Sequence, residues 1–243
     1  MPCWMTATST TSSPESGTSP RNEVRGRGTM AADRPTLALK PCFRRATSED
    51  ADTLANLIEF ASEGLALYLW SKIAGTGGDP WSIGRERVLS GALGLYFGNA
   101  ILMELAGQPA AGLISYSLGE TPEPISNELP AILVPLHELT RQVPGSWYVH
   151  VLAAFPQHRG RGFGSALLAL ADDLAASARK SALSLIVSDT NTGARKLYER
   201  CGYHELVRRK MVKEQWQHPG TEWVLLRKNL CLQRPEPTVG ILT

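Results

Sequence analysis

The run Arg159-Gly160-Arg161-Gly162-Phe163-Gly164-Ser165 separates a strand-like stretch, Trp147 to Phe155, from residues whose apolar positions recur at helical spacing. Leu167, Leu170, Ala171, Leu174 and Ala178 fall on one helical face while Asp172 and Asp173 face out, so a helix from about Ser165 packs on a sheet. With a further strand from Ala182 to Ser188 this composes a β-α-β unit, which predicts a parallel strand pair. At such a turn, unpaired backbone N–H groups and the helix dipole can receive a phosphate, and three glycines let the backbone approach it. The run is neither a dinucleotide fingerprint, which needs glycine at Ser165 or Leu167, nor a Walker loop, which needs Lys-Ser/Thr. A plain strand-to-helix connection is the other reading of three glycines alone.

On the N-terminal side, Leu37 to Arg45 has strand character and Thr47-Ser-Glu-Asp reads as a helix start. Leu54, Leu57, Ile58 and Ala61 continue it as an apolar stripe. Gly75-Thr-Gly-Gly-Asp-Pro breaks the chain before a short helix, Trp81 to Leu89. Ala100 to Leu105 and Ala110 to Leu118 read as a hairpin across Gly107-Gln-Pro. The proline-rich stretch Gly119 to Gly145 reads as a long irregular excursion, of the kind that is usually functional or mobile. On the C-terminal side, Asn191 to Arg200 reads as a helix, followed by strands near Tyr203 to Val212 and Thr221 to Arg227. The expected fold class is α+β (mixed α/β), without an internal repeat.

Composition narrows the function. The 243 residues are 43% apolar and 20% charged, with a formal charge of +2. A chain of this size buries roughly 70–75% of its unfolded surface, so it needs no disulfide or metal to hold a core. Cys3, Cys42, Cys201 and Cys231 lie far apart and the five histidines show no zinc spacing, which predicts no metal and fits a cytoplasmic protein. Charges form no long block and no apolar run reaches the roughly 18–20 residues of a membrane span, which predicts no nucleic-acid and no membrane partner. Residues 1–36 are expected to be a disordered leader: the first 30 hold eleven Ser or Thr and a single aromatic, Trp4. A targeting role is disfavoured by Glu15 and Glu23, and Met30 is an alternative start of translation. Residues 37–230 are expected to form one domain and 231–243 a tail.

Arg159-x-x-Gly162-x-Gly164 resembles the R/Q-x-x-G-x-G/A signature of the GNAT superfamily of N-acetyltransferases. Asn191-x-x-Ala194-x-x-Leu197-Tyr198-x-x-x-Gly202-Tyr203 is similar to that family's second motif, and Arg44-Arg-Ala-Thr-Ser-Glu-Asp-Ala to its first strand and helix entry. The resemblance implies a seven-stranded mixed sheet, flanked by helices and splayed between its fourth and fifth strands, with acetyl-CoA in the opening. It implies a diphosphate on the N–H groups of Gly160, Arg161, Gly162, Phe163, Gly164 and Ser165, with the charges of Arg159 and Arg161 nearby. It implies a pantetheine arm along Leu152, Ala153 and Ala154. Asn191 and Tyr198, seven residues apart, differ by only about 20° around a helix, so both can face one ligand.

Direct acetyl transfer to an amine, without a covalent enzyme intermediate, is the implied reaction, with Tyr198 as general acid at the CoA sulfur. Alone, Tyr198 reads rather as a half-buried helix tyrosine that satisfies its hydroxyl on a neighbour, and it is the full motif that favours catalysis. Many members carry a glutamate base on the fourth strand, whereas Trp147-Tyr148-Val149-His150-Val151 holds no acid. Tyr148 and His150 share a strand face, and His150 is either the proton acceptor, direct or through water, or a core histidine held by a carbonyl. Trp70, Trp81, Tyr116 and the 119–145 insertion are candidate acceptor walls, and Glu120, Glu123 and Glu128 candidate attractors of an amine. The expected partners are acetyl-CoA and an amine acceptor, with a second copy of the chain as a further candidate. The rival reading is a non-catalytic acyl-CoA-binding module of the same fold.

Overall fold

The computed structural model describes residues 37–40, 42–90 and 95–231; the expected leader and all of the tail except Cys231 lie outside them. In chain order the elements are β1 (Phe43–Arg45), α1 (Ala51–Ser62), α2 (Leu65–Ala74), α3 (Pro80–Leu89), β2 (Ala100–Leu105), β3 (Gln108–Ser117), α4 (Val134–Thr140), β4 (Trp147–Ala154), α5 (Phe163–Ser177), β5 (Ala182–Ser188), α6 (Thr192–Arg200), β6 (His204–Lys210) and β7 (Glu222–Asn229). The seven strands form one mixed sheet in the order β1-β2-β3-β4-β5-β7-β6. All neighbours pair antiparallel except β4 and β5, the parallel pair expected around the glycine turn.

Local chemistry sets the element boundaries. The Asp50 carboxylate accepts from the Thr47 N–H at 2.7 Å and from both terminal nitrogens of Arg44 at 2.8 Å, which ties β1 to the entry of α1. Asp79 caps α3 by accepting from the Trp81 and Ser82 N–H groups, with Pro80 at the first helical position. Ala106 and Gly107, both at positive φ, make the β2–β3 turn, so Gln108 and Pro109 belong to the strand rather than to the turn read from sequence.

Three other expectations are corrected. Of the described residues between Leu37 and Arg45, only Phe43–Arg45 form a strand. α2 was not anticipated: Glu63 at φ 54° and Gly64 at φ 92° end α1 and turn the chain directly into it. The insertion 119–145 is partly ordered as a 3-10 turn and α4, because Ile132, Leu133, Leu139 and Val143 are core residues.

Both faces of the sheet are covered. On one, Leu167, Leu170, Ala171 and Leu174 of α5 pack on Leu113, Val149 and Leu185. On the other, Leu54, Leu57 and Ile58 of α1 pack on Leu102, Ile114 and Val151. A third cluster joins Leu65 and Leu69 of α2 to Leu133, Leu139, Trp216 and Trp223. The two sheet-facing helices therefore flank the β4–β5 junction, where the sheet opens.

Candidate active site

The opening has two causes. β4 pairs with β5 only at Trp147↔Leu183 and Tyr148↔Ser184, after which the strands diverge. On its other edge β4 carries a bulge: Ser115 pairs with Val149 and Ile114 with Val151, leaving His150 as the extra residue. Tyr148, His150 and Val151 consequently all line the side toward α1 and α2, as the shared face of Tyr148 and His150 predicted. Beyond Tyr148 the β4 backbone groups that point toward β5 have no strand partner among the described residues.

The glycine turn closes one end of this opening. Gly160 and Gly162 sit at φ 74° and 82°, in the left-handed region, and Gly162 is the N-cap of α5 without any side-chain cap. Among the described residues no acceptor meets the N–H groups of residues 160–165, so a row of donors at a helix N-terminus is left for an anion. A Cβ on Gly164 would lie 2.7 Å from Leu197 Cδ2, so glycine lets α5 and α6 close together under the turn. The resulting cavity, about 980 Å³, is lined by Leu152, Ala153, Ala154, Arg159, Gly160, Gly162, Phe163, Gly164, Ser165, Asn191 and Tyr198. Of the expected cofactor residues only Arg161 is not on its wall; its side chain is exposed. The Arg159 guanidinium lies 5.8 Å from the Phe60 ring centroid.

Asn191 bridges two elements. Its carbonyl oxygen caps α6 by accepting from the Ala194 N–H at 3.1 Å, and its amide nitrogen donates to Glu63 Oε1 at 2.7 Å. The other Glu63 oxygen lies 2.8 Å from His218 Nε2. His218 Nδ1 accepts from the Gly220 N–H, so the ring hydrogen sits on Nε2 and donates to the carboxylate. The imidazole is stacked on Trp216 at 4.4 Å, and Trp216 in turn on Trp223. Glu63 and Trp223 line the large cavity, yet neither was anticipated from sequence. The Glu63-Gly64 pair at the end of an apolar helical stripe was the only local signal, and it marks a helix end rather than a site.

Tyr198 is 8% exposed, packs edge-on against Tyr203 at 6.0 Å, and its hydroxyl makes no hydrogen bond to any described residue. Burial pushes its pKa well above the usual phenol range, and the Glu63 carboxylate adds to this, so the hydroxyl keeps its proton. His150 shifts the opposite way: burial lowers it to about 4, which leaves the ring neutral. The Tyr116 hydroxyl lies 3.1 Å from His150 Nδ1, while Nε2 has no partner among the described residues.

A second, smaller cavity of about 130 Å³ lies between α1, α2, α4 and the bulged face of β4. Trp70 and Tyr116, two of the candidate acceptor walls, line it, and the insertion contributes Leu133, Leu136, His137 and Thr140. Trp81 does not reach it but braces Trp70 edge-on at 5.8 Å. Glu120, Glu123 and Glu128 are exposed and off its wall, and Glu120 pairs with Lys180 at 2.8 Å. The two cavities share Ala61, His150, Ile186 and Trp223, so they meet at the bulge.

The sequence profile described as "Acetyltransferase (GNAT) family" matches residues 81–203, half of the chain, from α3 to the residue before β6. The chain belongs to the GNAT acetyltransferase family. Solved structures share the fold of this GNAT acetyltransferase at low identity. One described as an acetyltransferase is 22% identical with a TM-score of 0.51, covering 77% of this chain and 98% of that one. The N-acetyltransferase from Staphylococcus aureus Mu50 is 19% identical at 0.51, covering 76% and 98%. PH1933 from Pyrococcus horikoshii OT3 is 14% identical at 0.52, covering 77% and 97%. No curated protein matches the chain. The family's acetyl donor is acetyl-CoA, and the large cavity fits it chemically, with free N–H donors for a diphosphate and an open strand edge for amides. Among the described residues no helix is long and apolar enough to cross a membrane.

Proposed function

We propose that this acetyltransferase transfers the acetyl group directly to a primary amine, with Tyr198 as proton donor and His150 as proton acceptor. The meeting of the two cavities at His150 carries this reading, because it offers the donor and the acceptor separate entries to one point. The N–H groups of residues 160–165 hold the diphosphate and the free edge of β4 holds the amide arm, while acetyl-CoA supplies an activated thioester carbonyl. One bond forms, amine nitrogen to carbonyl carbon, and one breaks, carbon to sulfur. The nitrogen sheds one proton and the sulfur gains one, so the balance closes without a further reactant.

The residues suit those two proton positions. A tyrosine held above its usual pKa donates a hydrogen bond and returns quickly to the phenol, which stabilises negative charge as it develops on sulfur. His150 accepts at Nε2 when Nδ1 carries the hydrogen, and the Tyr116 oxygen lies within reach to accept that Nδ1–H in this tautomer. With its pKa near 4 the imidazole passes the proton on to water rather than keeping it, and the amine must arrive uncharged. Glu63, fixed by Asn191 and His218, places a carboxylate on the same wall as Tyr198. Incubating the purified chain with acetyl-CoA and a mixed amine pool, and following thiol release together with the acetylated product, tests the reading. Amine-dependent thiol release is expected; thiol release that no amine accelerates overturns it.

A further inference from the structure

The geometry points to the chemical class of the acceptor: an amine with a single ionisable nitrogen and a compact apolar body of about one ring, whose far end carries a hydrogen-bonding group for His137. This deepens the proposed amine transfer and rests on it.

Three observations carry it. First, the small cavity is walled by Ile58, Leu65, Trp70, Leu133, Val151 and Trp223 among others, and no Asp, Glu, Lys or Arg is among its lining residues. A second ammonium, as in a polyamine or an aminoglycoside, would be desolvated there with no counter-charge, which strongly disfavours it. Second, its volume of about 130 Å³ is close to that of the apolar cavities of roughly 150 Å³ that take up benzene. One ring fits, whereas a folded peptide segment or a sugar array does not. Third, His137 on α4 lines the cavity at 8% exposure, and its Nε2 is buried without a hydrogen-bond partner among the described residues. Its ring is neutral at neutral pH, so it offers one donor and one acceptor. A buried, unpaired imidazole nitrogen is unfavourable unless something fills the site and meets it. His137 is not among the residues shared with the large cavity, so a ligand whose amine sits at His150 presents its opposite end to α4.

The test compares kcat/KM for 2-phenylethylamine, tyramine, spermidine, kanamycin and a lysine peptide, using the full chain and acetyl-CoA. The two aryl amines should exceed the other three by about a hundredfold, with tyramine above 2-phenylethylamine. In His137→Leu the tyramine-to-phenylethylamine ratio should fall about tenfold, the worth of one hydrogen bond, and His137→Gln should restore it. Spermidine, kanamycin or the peptide equalling the aryl amines overturns the inference while leaving amine transfer intact. Transfer of hexanoyl from hexanoyl-CoA as readily as acetyl also overturns it, since the cavity would then hold the acyl chain. Calorimetry with uncharged 4-(2-hydroxyethyl)phenol, the alcohol analogue of tyramine, separates the two levels. If no amine is acetylated yet this phenol binds wild type and more weakly His137→Leu, the cavity preference stands and the transfer reading falls. If it does not bind, the inference falls.

Discussion

The Tyr116 hydroxyl lies 3.1 Å from His150 Nδ1, at the one residue of β4 that the β3 ladder leaves unpaired. A bulge on one strand and a tyrosine on its neighbour thus fix both the aim of the imidazole and the nitrogen left open to the cavities. Tyr116→Phe should lower kcat about tenfold with little change in the KM for acetyl-CoA, because it removes an orienting hydrogen bond and not a binding one. Steady-state kinetics of the variant check this.

The low pKa of His150 has a consequence for the pH profile. A histidine that stays neutral down to about pH 4 gives no inflection near 6.5 in kcat/KM. The profile should instead rise through neutrality and beyond as the free amine becomes available, and a pH series with one amine measures it.

Stability has its own acid limb. His137 and His150 both have folded pKa values lowered from 6.5 to about 4 by burial, so between these limits the unfolded chain binds more protons. Their neutral burial is accommodated fully above about pH 6.5, and stability is lost as pH falls toward 4, by up to about 1.4 kcal/mol per pH unit for each histidine. Denaturant melts at pH 7, 6 and 5 should show this decline, reduced in His137→Leu.

Asn191 serves α6 and Glu63 together. Asn191→Ala should cost about 0.5–2 kcal/mol from the lost cap, whereas Asn191→Asp keeps a capping oxygen but sets a second carboxylate against Glu63. Thermal melts should therefore show the aspartate variant gaining stability as pH falls and one of the two carboxyls protonates, which the alanine variant does not.

Much of the fold was legible because it rests on local signals. The glycine turn between an apolar run and a helical stripe marked β4, α5 and the parallel β5, and Thr47 to Asp50 marked the start of α1. α2 was not legible, because Leu65 to Ala74 is apolar around most of the helix and its start depends on Glu63 holding positive φ. The order within 119–145 comes from packing of α4 on α2 and β7, which no local period announces. In the candidate site, spacing placed the glycine turn at the start of α5 and brought Asn191 and Tyr198 toward one side, and all of these line the large cavity except Arg161. Glu63, His218 and Trp223 were not legible, since they join across 128 or more residues, and the acids of the insertion turned out to face away from the cavity.

Gly162 links the turn to the stability of the fold. It occupies left-handed backbone with nothing within 4 Å of a Cβ, so Gly162→Ala meets no clash but pays about 1–2 kcal/mol for its conformation. Calorimetry should find weaker CoA binding as well, because relaxing that φ turns the N–H groups of residues 160–165 out of register.

The Tyr198 hydroxyl, on a buried residue that lines the large cavity and without a hydrogen-bond partner among the described residues, is the proposed donor to the departing sulfur. Single-turnover acetyl transfer by Tyr198→Phe, set beside its CoA affinity by calorimetry, tests it most directly. A rate lower by about 10²–10⁴ is expected, with CoA affinity within a few-fold of wild type. A folded Tyr198→Phe variant that transfers acetyl at the wild-type rate would contradict it.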